Sequence, residues 1–370
     1  MKCIFLKLRI NKLSKLEEKK LSIILNLLPL KTGGGVQVAL DFINQINKSN
    51  SLHSWYIVCR KNSVFEKAAS DKISILHTVK DSLFNRLLFE YVYCNKVVKK
   101  VSPDLIYTQF GPHWPSSNFL NIVGCAYSNL CYPELDFWGK LPFHKKMIKK
   151  FIDYCRLKRL LAADVRIFET EDLANRAKRI YSLSDNSVFY VKPAVSSLVT
   201  KSCFHNQTAE KVKNLPGDFN VLLLSGFHPN KNFDFLASIA QQLKQKKPKN
   251  KICFILTIPE NQQEVIDFFH QLEEKNVQGY FYNIGPIPQA GCSEVYRKCE
   301  AVILPSRLES FSNNIAEAWA MEKPLITSHQ DWTKSICADG ALYYKYDDST
   351  DAANTIIRLS ENSELYNTAI

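Results

Sequence analysis

Short runs of aliphatic and β-branched residues alternate along the chain with longer stretches in which apolar positions recur at helical spacing. This alternation predicts strands separated by helices, the rhythm of a parallel α/β sheet. The rhythm occurs twice. In the first half it predicts strands at residues 22–28, 55–59, 105–109, 122–126, 165–168 and 188–191; in the second, at 219–224, 252–258, 280–284, 301–304 and 325–328. Between the two series, residues 192–218 hold Pro193, Pro216 and Gly217 in a polar tract without clear period, which reads as an interdomain connection. Two Rossmann-like domains are therefore expected, at residues 1–200 and 201–370. In such open sheets ligands gather beyond the carboxyl ends of the strands, so the residues just after each strand carry the functional information.

Composition refines this picture without changing it. A chain of 370 residues exceeds what one core organises, and 46% hydrophobic with 23% charged residues is the balance of a folded protein. The net charge of +12 favours anionic partners, phosphates or an anionic lipid surface. No helix-turn-helix, zinc or RNP pattern accompanies the charge, so no nucleic acid partner is expected. Eleven cysteines are scattered without a C-x-x-C pair, which fits reduced thiols in a cytosol better than a zinc site or a disulfide framework. Lys7 and Arg9 interrupt the apolar residues near the start before a signal-peptide core forms. The apolar run at 21–30 is about half the length that crosses a bilayer. A cytoplasmic protein is expected, with membrane contact that is at most peripheral.

The richest string is Leu304-Pro305-Ser306-Arg307-Leu308-Glu309-Ser310-Phe311-Ser312-Asn313-Asn314-Ile315-Ala316-Glu317-Ala318-Trp319-Ala320, an apolar strand running into a small polar loop and a helix. Ser312 or Asn313 is placed to cap the helix, and the amides of its first turn are donors suited to phosphate or sugar oxygens. A second string, Leu222-Leu223-Leu224-Ser225-Gly226-Phe227-His228-Pro229-Asn230-Lys231-Asn232, sets Lys231 at the expected start of the following helix. An ammonium there neutralises a diphosphate leaving group as its charge grows. A third, Pro29-Leu30-Lys31-Thr32-Gly33-Gly34-Gly35-Val36, puts glycines between the first strand and its helix, where backbone approaches a ligand closely. It does not reproduce the G-x-G-x-x-G dinucleotide fingerprint.

The Pro-Ser-x-x-Glu-x-Phe opening, the seven-residue spacing of Glu309 and Glu317 and the Glu-Ala-x-Ala continuation resemble the E-x7-E signature of the retaining GT-B transferases grouped as glycosyltransferase family four. The resemblance covers roughly residues 221–328 and, more loosely, 21–191. It implies a GT-B fold, two Rossmann-like domains facing each other across a cleft, that moves a sugar from a nucleotide diphosphate to a glycan or lipid-linked acceptor. It further implies that Glu309 contacts hydroxyls of the donor sugar, that Glu317 contacts the nucleotide ribose, and that Ser310, Phe311, Ser312, Asn313 and Asn314 wrap the sugar and diphosphate. Lys231 is implied to meet the diphosphate, and Gly34 and Gly35 to approach it from the first domain. Surface polysaccharide or lipopolysaccharide assembly is the associated setting. Two departures stand out. Gly226 occupies the position of a family arginine, for which either His228 or the helix amides are the candidate substitutes, and the family histidine falls near Ala126 or Tyr127. Glu322 also replaces a frequent glycine.

His113, in Gln109-Phe110-Gly111-Pro112-His113-Trp114-Pro115, is a candidate for assisting proton transfer, with a structural place as the competing reading. Tyr127, Glu134 and Asp136 are further acceptor-side candidates. Between 140 and 159, Lys140, Lys145, Lys146, Lys149, Lys150, Arg156, Lys158 and Arg159 edge an apolar stripe of Phe143, Met147, Phe151, Tyr154 and Cys155. That pattern suits either an interfacial helix on anionic lipid or a solvated basic face. No D-x-D pair is present, so no metal and no resident cofactor are expected; Asp347-Asp348 reads as a helix cap. A sugar-nucleotide epimerase and a non-catalytic relative that binds nucleotide or membrane are the rival functions.

Overall fold

The computed structural model describes residues 20–114, 119–139, 141–200 and 205–369. The features expected around Lys7 and Arg9, and at Pro115 and Lys140, lie outside the described residues. The chain divides into two compact units after Pro193. Each unit is built on one sheet whose strands all run parallel.

In the first unit β1 (Ser22–Asn26), β2 (Ser54–Arg60), β3 (Ile73–Val79), β4 (Leu105–Thr108), β5 (Leu120–Cys125), β6 (Val165–Phe168) and β7 (Val188–Tyr190) lie in the order β3-β2-β1-β4-β5-β6-β7. Side chains alternate across a strand, and β1 shows the consequence. Ile24 joins a core with Val58, Ile106, Val97 and Trp114, whereas Leu25 packs with Ile57, Ala39 and Ile43 of the helix Gly34–Lys48.

In the second unit β8 (Phe219–Leu223), β9 (Ile252–Leu256), β10 (Phe281–Asn283), β11 (Ala301–Leu304), β12 (Leu325–His329) and β13 (Leu342–Lys345) lie in the order β10-β9-β8-β11-β12-β13. Every residue of β8, β9 and β11 is buried, as a parallel sheet covered by helices on both faces requires. Leu236, Ile239 and Leu243 of the helix Phe233–Lys246 and Ile356 of the helix Ser349–Glu361 close one face over Val221, Leu223 and Phe254.

The sequence pattern misses β3 and β13. Both are edge strands, and β3 is mostly half-exposed, so neither carries the continuous apolar run of a central strand. The connection expected at 192–218 is corrected as well. From Ala194 onward it belongs to the second unit and contains the helices Ser197–Thr200 and Asn206–Lys211. These are too short to show a period, yet Val199 and Val212 are buried. Thr208 sits so tightly on Gly291 that a Cβ there would come within 2.2 Å of its Oγ1.

In both sheets the strand order reverses direction once, between β1 and β4 and between β8 and β11. Crossovers leave such a pair in opposite directions and open a crevice at its carboxyl ends. No helix among the described residues is long and apolar enough to cross a membrane.

Candidate functional site

The two strongest motifs meet at the reversal point of the second sheet. The loop after β8 and the loop after β11 are stitched together by backbone and amide side chains. The Arg307 amide donates to the Asn230 carbonyl at 3.0 Å, and Asn230 Nδ2 donates to the Leu308 carbonyl at 2.5 Å. Asn232 Nδ2 donates to the Pro305 carbonyl at 3.3 Å, and Arg307 Nε donates to Asn232 Oδ1 at 3.3 Å. Asn314 Nδ2 closes the far side on the Leu224 carbonyl at 2.7 Å. At about 0.5–1.5 kcal/mol net for each bond, this lacing fixes the loops against one another.

Within that frame Lys231 Nζ donates to Glu309 Oε1 at 2.8 Å, and the Ser306 hydroxyl donates to the same oxygen. The lysine and glutamate side chains are only 19% and 11% exposed, so cation and acid lie together in a largely desolvated place. Lys231 does not open a helix as the sequence suggested. It ends a 3-10 turn, Pro229–Lys231, and the helix starts at Phe233 after Asn232 in the left-handed region (φ 57°), a conformation asparagine tolerates. His228 Nδ1 accepts from the Asn230 amide at 3.2 Å, so this ring nitrogen is spent on shaping the turn. Gly226 faces open space, with nothing within 4 Å of an added Cβ.

The helix Asn313–Ala320 begins at Ser312, whose side chain makes no capping bond. Ser310 and Ser312 of the loop and Asn314 of the helix are buried, and Phe311 and Asn313 are half-buried. Glu317 lies one turn further along and is itself buried. Its Oε2 accepts from the Tyr296 hydroxyl at 2.8 Å, across to the helix Cys292–Lys298. Burial pushes the Glu317 carboxyl up, against the opposing pull of the Tyr296 bond. The Tyr296 partnership gave no sequence signal, because the two residues belong to different helices. Asp348 is a cap, as expected: it accepts from the Thr350 and Asp351 amides at 3.1 and 3.0 Å.

In the first unit the glycine loop and the loop after β4 share the other reversal point. Gly33 precedes the helix with φ 82°, Gly34 is exposed, and a Cβ on Gly35 would press on Leu30 and Phe110 at 3.1 and 3.3 Å. Gly111 rests directly on Pro29, which a Cβ would meet at 2.2 Å. His113 stands just beyond. It is 6% exposed, and Nδ1–H donates to the Trp114 carbonyl while Nε2 is enclosed without a hydrogen-bond partner among the described residues. Burial lowers its pKa, so the ring is neutral at neutral pH. As placed, His113 is buried and held by the Trp114 carbonyl. Tyr127 packs under the Arg156 guanidinium, 4.6 Å from its ring, while Glu134 pairs with Arg176 and Asp136 with Lys146.

The basic helix is Phe143–Leu161. Asp153 anchors it, accepting from Asn129 Nδ2 and Trp138 Nε1 at 2.7 Å each. Phe143, Met147, Ile148, Phe151 and Tyr154 stay exposed along one side, Phe143 by 80%. The segment Leu83–Tyr93, without a sequence signal, leaves Leu83, Phe84 and Tyr91 exposed too. Its fully buried Glu90 ties it to the helix through Arg159, at 2.8 Å.

Two Rossmann-like units, each on one parallel sheet, match the GT-B class of fold. Residues 218–362, which include Lys231, Glu309 and Glu317, match the family model described as Glycosyl transferases group 1. The second unit thus carries a domain of that kind, which supports sugar transfer. Among solved structures, the chain is similar to the sucrose-phosphate synthase of Thermosynechococcus elongatus (17% identity, 95% of this chain and 92% of that one covered, TM-score 0.68). It is also similar to Anabaena HepE in complex with UDP-glucose (13% identity, 94% and 92%, TM-score 0.67). A third is WaaG, a glycosyltransferase involved in lipopolysaccharide biosynthesis (12% identity, 94% and 92%, TM-score 0.68). At these identities the likeness is one of fold. No curated protein matches the chain in sequence.

Proposed function

We propose that this chain is a retaining glycosyltransferase of family four that transfers a hexosyl group from a nucleotide-diphosphate sugar to a glycan or lipid-linked acceptor in surface polysaccharide or lipopolysaccharide synthesis. The observation that carries the proposal is the Lys231–Glu309 contact at the carboxyl edge between β8 and β11, within the matched domain. Lys231 supplies the positive charge that the departing diphosphate needs, and Glu309 orients hydroxyls of the donor sugar, so neither a metal nor a resident cofactor enters. The first-turn amides at Ser312–Asn313, which the Ser312 side chain does not cap, add donors for the diphosphate. The acceptor attacks from the face the nucleotide leaves, a diphosphate oxygen takes its proton, and no protein nucleophile is required.

The HepE complex with UDP-glucose makes a uridine nucleotide the first donor to try. Incubation of purified protein with radiolabelled UDP-, GDP- and ADP-sugars, EDTA and a lipid-linked acceptor panel tests the proposal. Transfer should occur with the donor's anomeric configuration kept in the NMR spectrum of the product. Glu309→Ala should lower it about a hundredfold or more while sparing the fold. An inverted product, or full activity in the variant, defeats the reading. Gly226, which removes one family cation, favours a second reading as a non-catalytic nucleotide binder; nucleotide binding without any transfer would establish it.

A further inference from the structure

The carboxyl edge of the second sheet continues past the Glu309 loop. β12 ends at His329 and β13 at Lys345, and His329, Tyr343, Tyr344, Lys345 and Tyr346 line an open groove of about 470 Å³ there. Neighbouring strands lie about 4.8 Å apart, so β13 stands roughly 10 Å from β11, whose loop bears Glu309. That span is about two sugar rings.

The groove is built rather than incidental. The Tyr343 hydroxyl donates to the Ala338 carbonyl at 2.7 Å, its ring meets His329 edge-on at 5.5 Å, and Lys334 Nζ lies 4.4 Å from its centre. The ring is thus held in place before any ligand arrives. Tyr344 is locked by stacking on Phe235 at 5.6 Å, and its hydroxyl is buried beside Ser328. Tyr346 is 42% exposed, and the neighbouring Lys345 is exposed with no ion-pair partner among the described residues.

Buried Tyr344 forms the floor, while half-buried Tyr343 and exposed Tyr346 offer aromatic carbon beside the Lys345 ammonium. Such a mixture suits the C–H face of a pyranose whose hydroxyls or carboxylate need donors. The diphosphate is already met at Lys231, so the groove is not required for the nucleotide. We infer that the Tyr343–Tyr346 groove binds a sugar residue of an oligosaccharide acceptor, behind the residue that receives the transferred sugar. This rests on the glycosyltransferase reading for its purpose, but the binding itself does not.

An array of neutral, N-acetylated and uronic-acid oligosaccharides, screened with the full chain, is the test. The strongest array oligosaccharide is then titrated by calorimetry against wild type, Tyr346→Ala and Lys345→Ala. Wild type should retain at least one oligosaccharide. Tyr346→Ala should weaken that binding tenfold or more, with unchanged melting temperature and unchanged affinity for UDP, GDP or ADP, whichever binds. Lys345→Ala should weaken acidic oligosaccharides most. An array that retains nothing, wild-type affinity in Tyr346→Ala, or displacement of the oligosaccharide by the nucleotides overturns the inference. Oligosaccharide binding lost in Tyr346→Ala, in a protein that transfers no sugar, would leave the groove standing and remove the transferase reading alone.

Discussion

At the scale of single residues, the acid and the cation were legible because each follows an apolar strand at the edge where an open sheet binds ligands. Glu309 and Lys231 are 78 positions apart and meet at 2.8 Å. The surroundings were not legible, because Asn230 and Asn232 act through backbone carbonyls that no residue pattern encodes. His113 was singled out by residue type alone, and its burial beside Trp114 was not legible. Gly226 offers a direct experiment. A Cβ added there meets nothing within 4 Å and its backbone is not in the left-handed region, so Gly226→Arg starts from an unstrained position. A charge-assisted contact to a diphosphate is worth about 1.5–3 kcal/mol, so the dissociation constant for the preferred nucleoside diphosphate should fall tenfold or more in calorimetry. No change would mean that the diphosphate does not pass this position.

At the scale of elements, every central strand was legible and two edge strands were not, since half-exposed strands such as β3 mix polar and apolar residues. The Glu317–Tyr296 bond joins two helices and tests how burial sets local charge. The Glu317 pKa is raised in the folded protein, so its favourable contribution is complete below the unfolded value of about 4.3 and is lost as pH rises through the folded value. Glutamine keeps an acceptor for Tyr296 and carries no charge. The melting temperature of Glu317→Gln relative to wild type should therefore climb between pH 4.5 and pH 7.5. A difference that is flat with pH would show that the carboxylate is not penalised.

For the whole molecule, the net charge of +12 has its clearest local concentration on the helix Phe143–Leu161, beside exposed aromatic and aliphatic side chains. A basic residue near an anionic bilayer contributes about 1 kcal/mol. Changing Lys145, Lys146, Lys149 and Lys150 to glutamate should therefore reduce flotation with phosphatidylglycerol vesicles about a hundredfold or more, and high salt should weaken wild-type binding. Vesicle binding that survives the four changes would assign the charge to solvation alone. The second sheet has a different consequence. All six of its strands finish on one rim, and the residues that would handle sugar hang from that rim on separate loops, while the interior is sealed behind them. Lineages built this way are free to rewrite what they recognise, one loop at a time, without ever reopening the question of how to fold.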